Sequence, residues 1–339
     1  MVSLSFTSPT TSSGVVVRVD PLFGYHRAPV EVLMSRAELV TVKRMERDIE
    51  VVGFGVPKSA DAVEWRIEQS VAPSRTLDLS RRVLAQMQFL FETLGLFRVD
   101  PTFIVVGRSQ KFINDTLESL DCFPNLVRTG GVHLMGATLC NRRVVVINLT
   151  GYFFLQRAGD TLTTAMETLP EPGLSRFNYK IADRNLSGLA HEWVHVARAS
   201  SNDGRVAADE PAWVREGFAE LMAGIARVLA FSPRMEYVDF HVIRLRKFVD
   251  WGRACPEPLR SYRDDSDLLA GCEYYLGAMA MEYLVSRMGG LPKVIDLFRR
   301  SAETLDFSRS FRATYGMSLD AFEARVDVYL RTVAALPGA

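Results

Sequence analysis

Two histidines four residues apart, with a glutamate directly after the first, lie in the run Leu189-Ala190-His191-Glu192-Trp193-Val194-His195. On an α-helix, positions i and i+4 lie one turn apart on the same face. Both imidazoles can then reach one metal ion, and the carboxylate of Glu192 can reach a water held by that ion. Neutral imidazole is a good ligand for Zn²⁺, and a nearby carboxylate can take a proton from a zinc-held water. H-E-x-x-H on a helix therefore points to metal-assisted hydrolysis with one zinc ion per chain. The bland alternative is an amphipathic helix that happens to carry two histidines, and the surrounding residues must decide between them.

A catalytic zinc site needs a third protein ligand and an open fourth position. A candidate follows in Asp209-Glu210-Pro211-Ala212-Trp213-Val214-Arg215-Glu216-Gly217-Phe218-Ala219-Glu220. Pro211 suits the first turn of a helix, and acidic residues just before it suit the positive end of the helix dipole. Glu216 lies 21 positions after His195. That leaves room for the first helix to end, a polar loop over 200–208, and a second helix to return. Glu216 and Glu220 share a face, so one can bind metal while the other accepts a hydrogen bond from a ligand histidine.

His191-Glu192-x-x-His195 followed by Trp213-Val214-x-Glu216-Gly217-Phe218-Ala219-Glu220 resembles the gluzincin metallopeptidases, the group containing thermolysin and the aminopeptidase N type. A looser similarity runs from about Ser80 to about Arg331. The resemblance implies His191, His195 and Glu216 as zinc ligands and Glu192 as general base. It implies Glu220 as the acid behind a ligand histidine. It also implies an α+β fold of zincin type: an α/β lobe with a mixed sheet and the active-site helix over residues 73–229, then a mostly helical lobe over 230–339. Residues 1–72 are left without an assigned role.

Two further stretches take meaning from the same resemblance. In the family an edge strand near Gly130–Thr138 pairs with the substrate backbone, which makes Gly136 and Ala137 candidate substrate-binding residues. Aminopeptidases carry G-A-M-E-N there, whose glutamate holds the substrate's amino terminus. Here the run is Gly136-Ala137-Thr138-Leu139-Cys140, so that carboxylate is absent from the position. Tyr274-Tyr275-Leu276-Gly277-Ala278 resembles the Y-x-K-G-A phrase whose tyrosine donates to the oxyanion formed in hydrolysis. Tyr274 matches it, Tyr275 is the fallback, and Leu276 replaces the lysine.

Composition bounds the rest. Hydrophobic residues make up 48% and charged residues 24% of 339 residues, ordinary for a globular chain. Forty basic residues balance forty acidic ones, so no charge excess marks a nucleic-acid or membrane-surface partner. Apolar runs such as Val144–Leu149 are too short to span a bilayer, and the N-terminus has no secretory pattern. The expected setting is cytoplasmic, with a peptide or protein substrate. Cys122, Cys140, Cys255 and Cys272 show no C-x-x-C pair and read as buried apolar residues.

Local signals set the elements. Val15–Val19 reads as a strand, and 31–50 as an imperfect helix. Apolar spacing gives a helix over 78–95, Thr102–Gly107 a strand, Ser109–Leu120 a helix, and Arg142–Leu149 a buried strand. The long stretch 156–186 is a candidate lid. His26 reads as a surface or capping histidine, His133 as structural with substrate contact as its alternative, His241 as structural, and Arg215 and Arg246 as surface arginines able to meet a substrate carboxylate. From Val238 onward, helical spacing with stops at Pro256–Pro258, Gly289–Gly290 and Gly316 predicts four or five helices. The leading expectation is a zinc peptidase. Its rivals are a non-peptidase zinc hydrolase on the same scaffold and a non-catalytic zincin-fold binding protein.

Overall fold

Period-two alternation decides how the main sheet sits. In β4 (Thr102–Gly107) and β6 (Val144–Asn148), Ile104, Val106, Val145 and Ile147 join the principal core. Val105, Val144 and Val146 point the other way and cluster with Ile113 and Leu117 of α3 (Gln110–Ser119). Strands buried on both faces read as near-continuous apolar runs, which is why these two were legible. The computed structural model describes residues 14–19, 30–53, 55, 63–69, 75–96, 102–107, 109–122, 136–139, 144–148, 188–199, 205–231, 236–246, 255, 257–264 and 272–336. The expected lid at 156–186, His26 and His133 lie outside them.

The sheet has the order β3-β4-β6-β5, with β3 (Val63–Ile67) and β5 (Gly136–Leu139) at its edges. β3, β4 and β6 are parallel, and β5 runs antiparallel to β6. Gly136 and Ala137, opposite Ile147 and Val146, thus lie on an edge strand. β1 (Val15–Val19) and β2 (Val30–Met34) form a separate antiparallel ribbon. Helices make up most of the rest, so the fold is broadly α+β.

Residues 1–72 contribute to this architecture. β3 supplies one edge of the main sheet. α1 (Arg36–Val52) starts at a reciprocal capping box: the Glu38 amide donates to Ser35 Oγ at 3.1 Å and the Ser35 amide to Glu38 Oε2 at 3.2 Å, satisfying two donors that a helix start leaves open.

The remaining helices are α2 (Arg75–Thr93), α4 (188–199), α5 (Ala212–Phe231), α6 (Tyr237–Phe240, continuing as a π-turn over His241–Arg246), α7 (Cys272–Met288), α8 (Gly290–Thr304), α9 (Phe307–Tyr315) and α10 (Leu319–Ala334). Gly316 ends α9 at φ 72°, in the left-handed region where glycine costs nothing. No described helix is long and apolar enough to cross a membrane.

Two expectations fail. Arg246 is not a surface residue: it is 1% exposed, with Nε 3.3 Å from Glu38 Oε1, because the π-turn carries it inward beside a buried carboxylate. The cysteines are not free apolar residues either. Cys255 and Cys272 form a disulfide across 17 residues, Cys122 is disulfide-bonded as well, and no free cysteine occurs among the described residues. Such a pairing is made by the tertiary fold and leaves no spacing signature.

Candidate metal centre

α4 exposes one face to the site and buries the others. Leu189, Ala190, Trp193, Val194, Val196 and Ala197 are buried in the principal core, with Trp193 edge-on to Phe91 of α2 at 5.2 Å. That leaves His191, Glu192 and His195 on one side. Just beyond His195, Arg198 Nη2 donates to both carboxylate oxygens of Glu210 at 2.9 and 2.8 Å. Both side chains are buried, and the Arg198 guanidinium lies 3.8 Å over the Phe298 ring. This pair ties the end of α4 to the start of α5.

α5 is buried on all sides; along 212–230 only Arg215 is even half-exposed. A buried helix carries charge only where partners meet it. Glu216 and Glu220 meet theirs on α4. Nε2 of His191 lies 3.1 Å from Glu216 Oε2, Nε2 of His195 lies 3.2 Å from the same oxygen, and the two nitrogens are 3.2 Å apart. Tetrahedral coordination with bonds of about 2.0–2.1 Å sets ligand atoms about 3.3 Å apart. The three atoms therefore form a nearly equilateral face of the right size, and the group can hold a metal ion. On the far side of the ring, Nδ1 of His191 lies 3.5 Å from Glu220 Oε2. With the proton on Nδ1 facing this acceptor, the Nε2 lone pair is left for the cation. The other Glu216 oxygen, Oε1, accepts from Arg215 Nε at 2.9 Å.

Electrostatics follow this geometry. Burial lowers the His191 pKa, but hydrogen bonds to Glu216 and Glu220 and the Glu192 charge outweigh it and raise it to about 10. Burial raises Glu216, but hydrogen bonds from both histidines prevail and hold it well below the usual carboxylate range. Glu192, Glu216 and Glu220 crowd carboxylates around the imidazoles, a setting that favours a cation.

Tyr274 enters from α7. Its ring centroid is 5.3 Å from that of His191. Burial, then the charges of Glu216 and Glu192, push its hydroxyl pKa well above the ordinary phenol value. A helix crossing without side chains brings it there. A Cβ on Gly217 would lie 2.2 Å from the Gly277 carbonyl carbon, and one on Gly277 would lie 2.3 Å from the Trp213 carbonyl oxygen. α5 and α7 thus touch backbone to backbone, one residue from Glu216 and three from Tyr274.

The structure brings together His191, Glu192, His195, Glu216, Glu220 and Tyr274. Gly136 and Ala137 are placed as edge-strand backbone. Sequence reasoning missed the Arg215–Glu216 bond, the Arg198–Glu210 pair and the glycine crossing. The last had a signal: one glycine sits in each of the two motifs. Comparison with protein-family models, curated proteins and solved structures finds no match to this chain.

Proposed function

We propose that the chain is a zinc-dependent metallopeptidase of gluzincin type that hydrolyses amide bonds. The observation that carries this reading is the triangle of His191 Nε2, His195 Nε2 and Glu216 Oε2, with Glu192 on the same helix face and Tyr274 against His191. Zn²⁺, when bound, supplies a Lewis acid and lowers the pKa of water towards about 7. Glu192 takes the proton of the attacking water and delivers it to the leaving amine. Tyr274 keeps its proton, because burial and nearby carboxylates raise its pKa, and donates it as a hydrogen bond to the oxyanion of the transition state. Glu220 orients the His191 ring. Arg215 occupies Oε1 of Glu216, so the carboxylate presents Oε2 alone to the cation.

The test combines elemental analysis with cleavage of a peptide library. The wild type should hold about one zinc per chain, and His195→Ala should lose it. Glu192→Gln should retain zinc while kcat/KM falls about 10²–10⁴-fold. Undiminished cleavage by Glu192→Gln would remove Glu192 as the base. Zinc without any cleavage would leave the non-peptidase or binding alternatives.

A further inference from the structure

Residues 257–264 hold the start of α5, and Cys255 is bonded to the start of α7. Ala212 at the start of α5 donates its amide to the Arg263 carbonyl at 2.7 Å. Arg263 Nε donates to Glu323 Oε1 at 2.9 Å, which also accepts from Trp213 Nε1 at 2.9 Å. The Leu259 amide donates to Asp327 Oδ1 at 2.9 Å. The segment is thus anchored to α5 and α10. Besides the peptide backbone, the Cys255–Cys272 disulfide joins Cys255 to the first residue of α7.

The first turn of a helix lacks intrahelical partners for its amides and frays unless something holds it. Tyr274 lies in that turn. At Gly277, α7 packs its backbone on α5; before Gly277 the disulfide fixes the first residue of the helix covalently. Cys255 is half-buried and Cys272 fully buried.

We propose that the Cys255–Cys272 disulfide positions Tyr274 over the metal site, so that breaking the bond lowers turnover while the metal stays bound. This rests on the peptidase reading. The reductant is a dithiol or a phosphine. With a phosphine, the disulfide takes two electrons from phosphorus and the S–S bond breaks; one water supplies the oxygen of the phosphine oxide and a proton to each sulfur.

The experiment uses the full chain loaded with zinc, treated with a water-soluble phosphine, beside the Cys255→Ala, Cys272→Ala double variant, which leaves the Cys122 disulfide intact. Hydrogen exchange at residues 276–278, whose amides bond back to the first turn of α7, should speed up about tenfold or more in both, while exchange over 188–199 and the zinc content stay unchanged. kcat should fall about tenfold with KM little altered, as expected of a misplaced transition-state donor. In a Tyr274→Phe background, breaking the bond should lower kcat no further. Unchanged exchange over 276–278, loss of zinc on reduction, or an equal kcat drop in Tyr274→Phe overturns the proposal. A wild type that cleaves no peptide counts against the peptidase reading instead, and exchange and zinc content then decide this inference alone.

Discussion

Glu220 touches His191 on the side away from the metal position, at 3.5 Å from Nδ1. Its expected effect is therefore on affinity. Glu220→Ala should weaken zinc binding about 10–100-fold in a chelator competition, while zinc at saturation still restores cleavage. Binding unchanged by this substitution would remove the carboxylate from its orienting role. At this scale the sequence was most legible. Both histidines and both glutamates occur as i, i+4 pairs, and that spacing alone fixes a shared helix face. Arg215 was not legible, because adjacent helical residues do not normally face each other. Its Nε reaches Glu216 Oε1 only because the carboxylate is already turned towards the histidines. Nor could the sequence choose a partner for Arg246, whose burial depends on α1, far away in the chain.

At the level of elements, the position of Glu216 depends on how closely α5 approaches α7. Gly217→Ala inserts a methyl group 2.2 Å from the Gly277 carbonyl carbon, and neither backbone can yield like a side chain. The substitution should cost about 1–3 kcal/mol by overpacking, read as a lower denaturant midpoint, and should weaken zinc binding as the helices part. Stability and affinity equal to wild type would mean that the crossing does not set the site. α2 and α3 followed from helical period, and both buried strands from their near-continuous apolar runs. α1 carried a readable Ser35/Glu38 box, but β3 went unrecognised. Val63-Glu64-Trp65-Arg66-Ile67 does alternate, yet two of its five side chains are charged and it flanks a stretch without other signals. Its strand character comes from pairing with β4.

Across the whole molecule, a second buried charge group joins the N-terminal helix to the C-terminal half. His241, wholly buried, lies with Nδ1 2.8 Å from Glu282 Oε1 and Nε2 3.0 Å from Glu38 Oε1. Arg246 flanks Glu38 at 3.3 Å, and the Tyr237 hydroxyl donates to Glu282 Oε1 at 2.7 Å. Burial lowers the His241 pKa, but the charge and hydrogen bond of Glu282, then those of Glu38, raise it to about 10. A histidine whose pKa is higher when folded stabilises the fold fully below the unfolded value of about 6.5 and loses that contribution as pH rises towards about 10. Urea unfolding should therefore show stability falling from pH 6.5 to 10, with a shallower fall in His241→Gln. His191 titrates in the same window in zinc-free protein, so the difference between wild type and variant isolates His241. Equal slopes would place the charge lock elsewhere. The glycine seam has a consequence for engineering as well. Because α5 and α7 meet backbone to backbone at Gly217 and Gly277, that wall cannot be narrowed by trimming a side chain, and widening it there costs stability and zinc affinity. A directed-evolution campaign towards bulkier substrates should leave residues 217 and 277 untouched in every surviving clone and gain its room from other walls around the histidines.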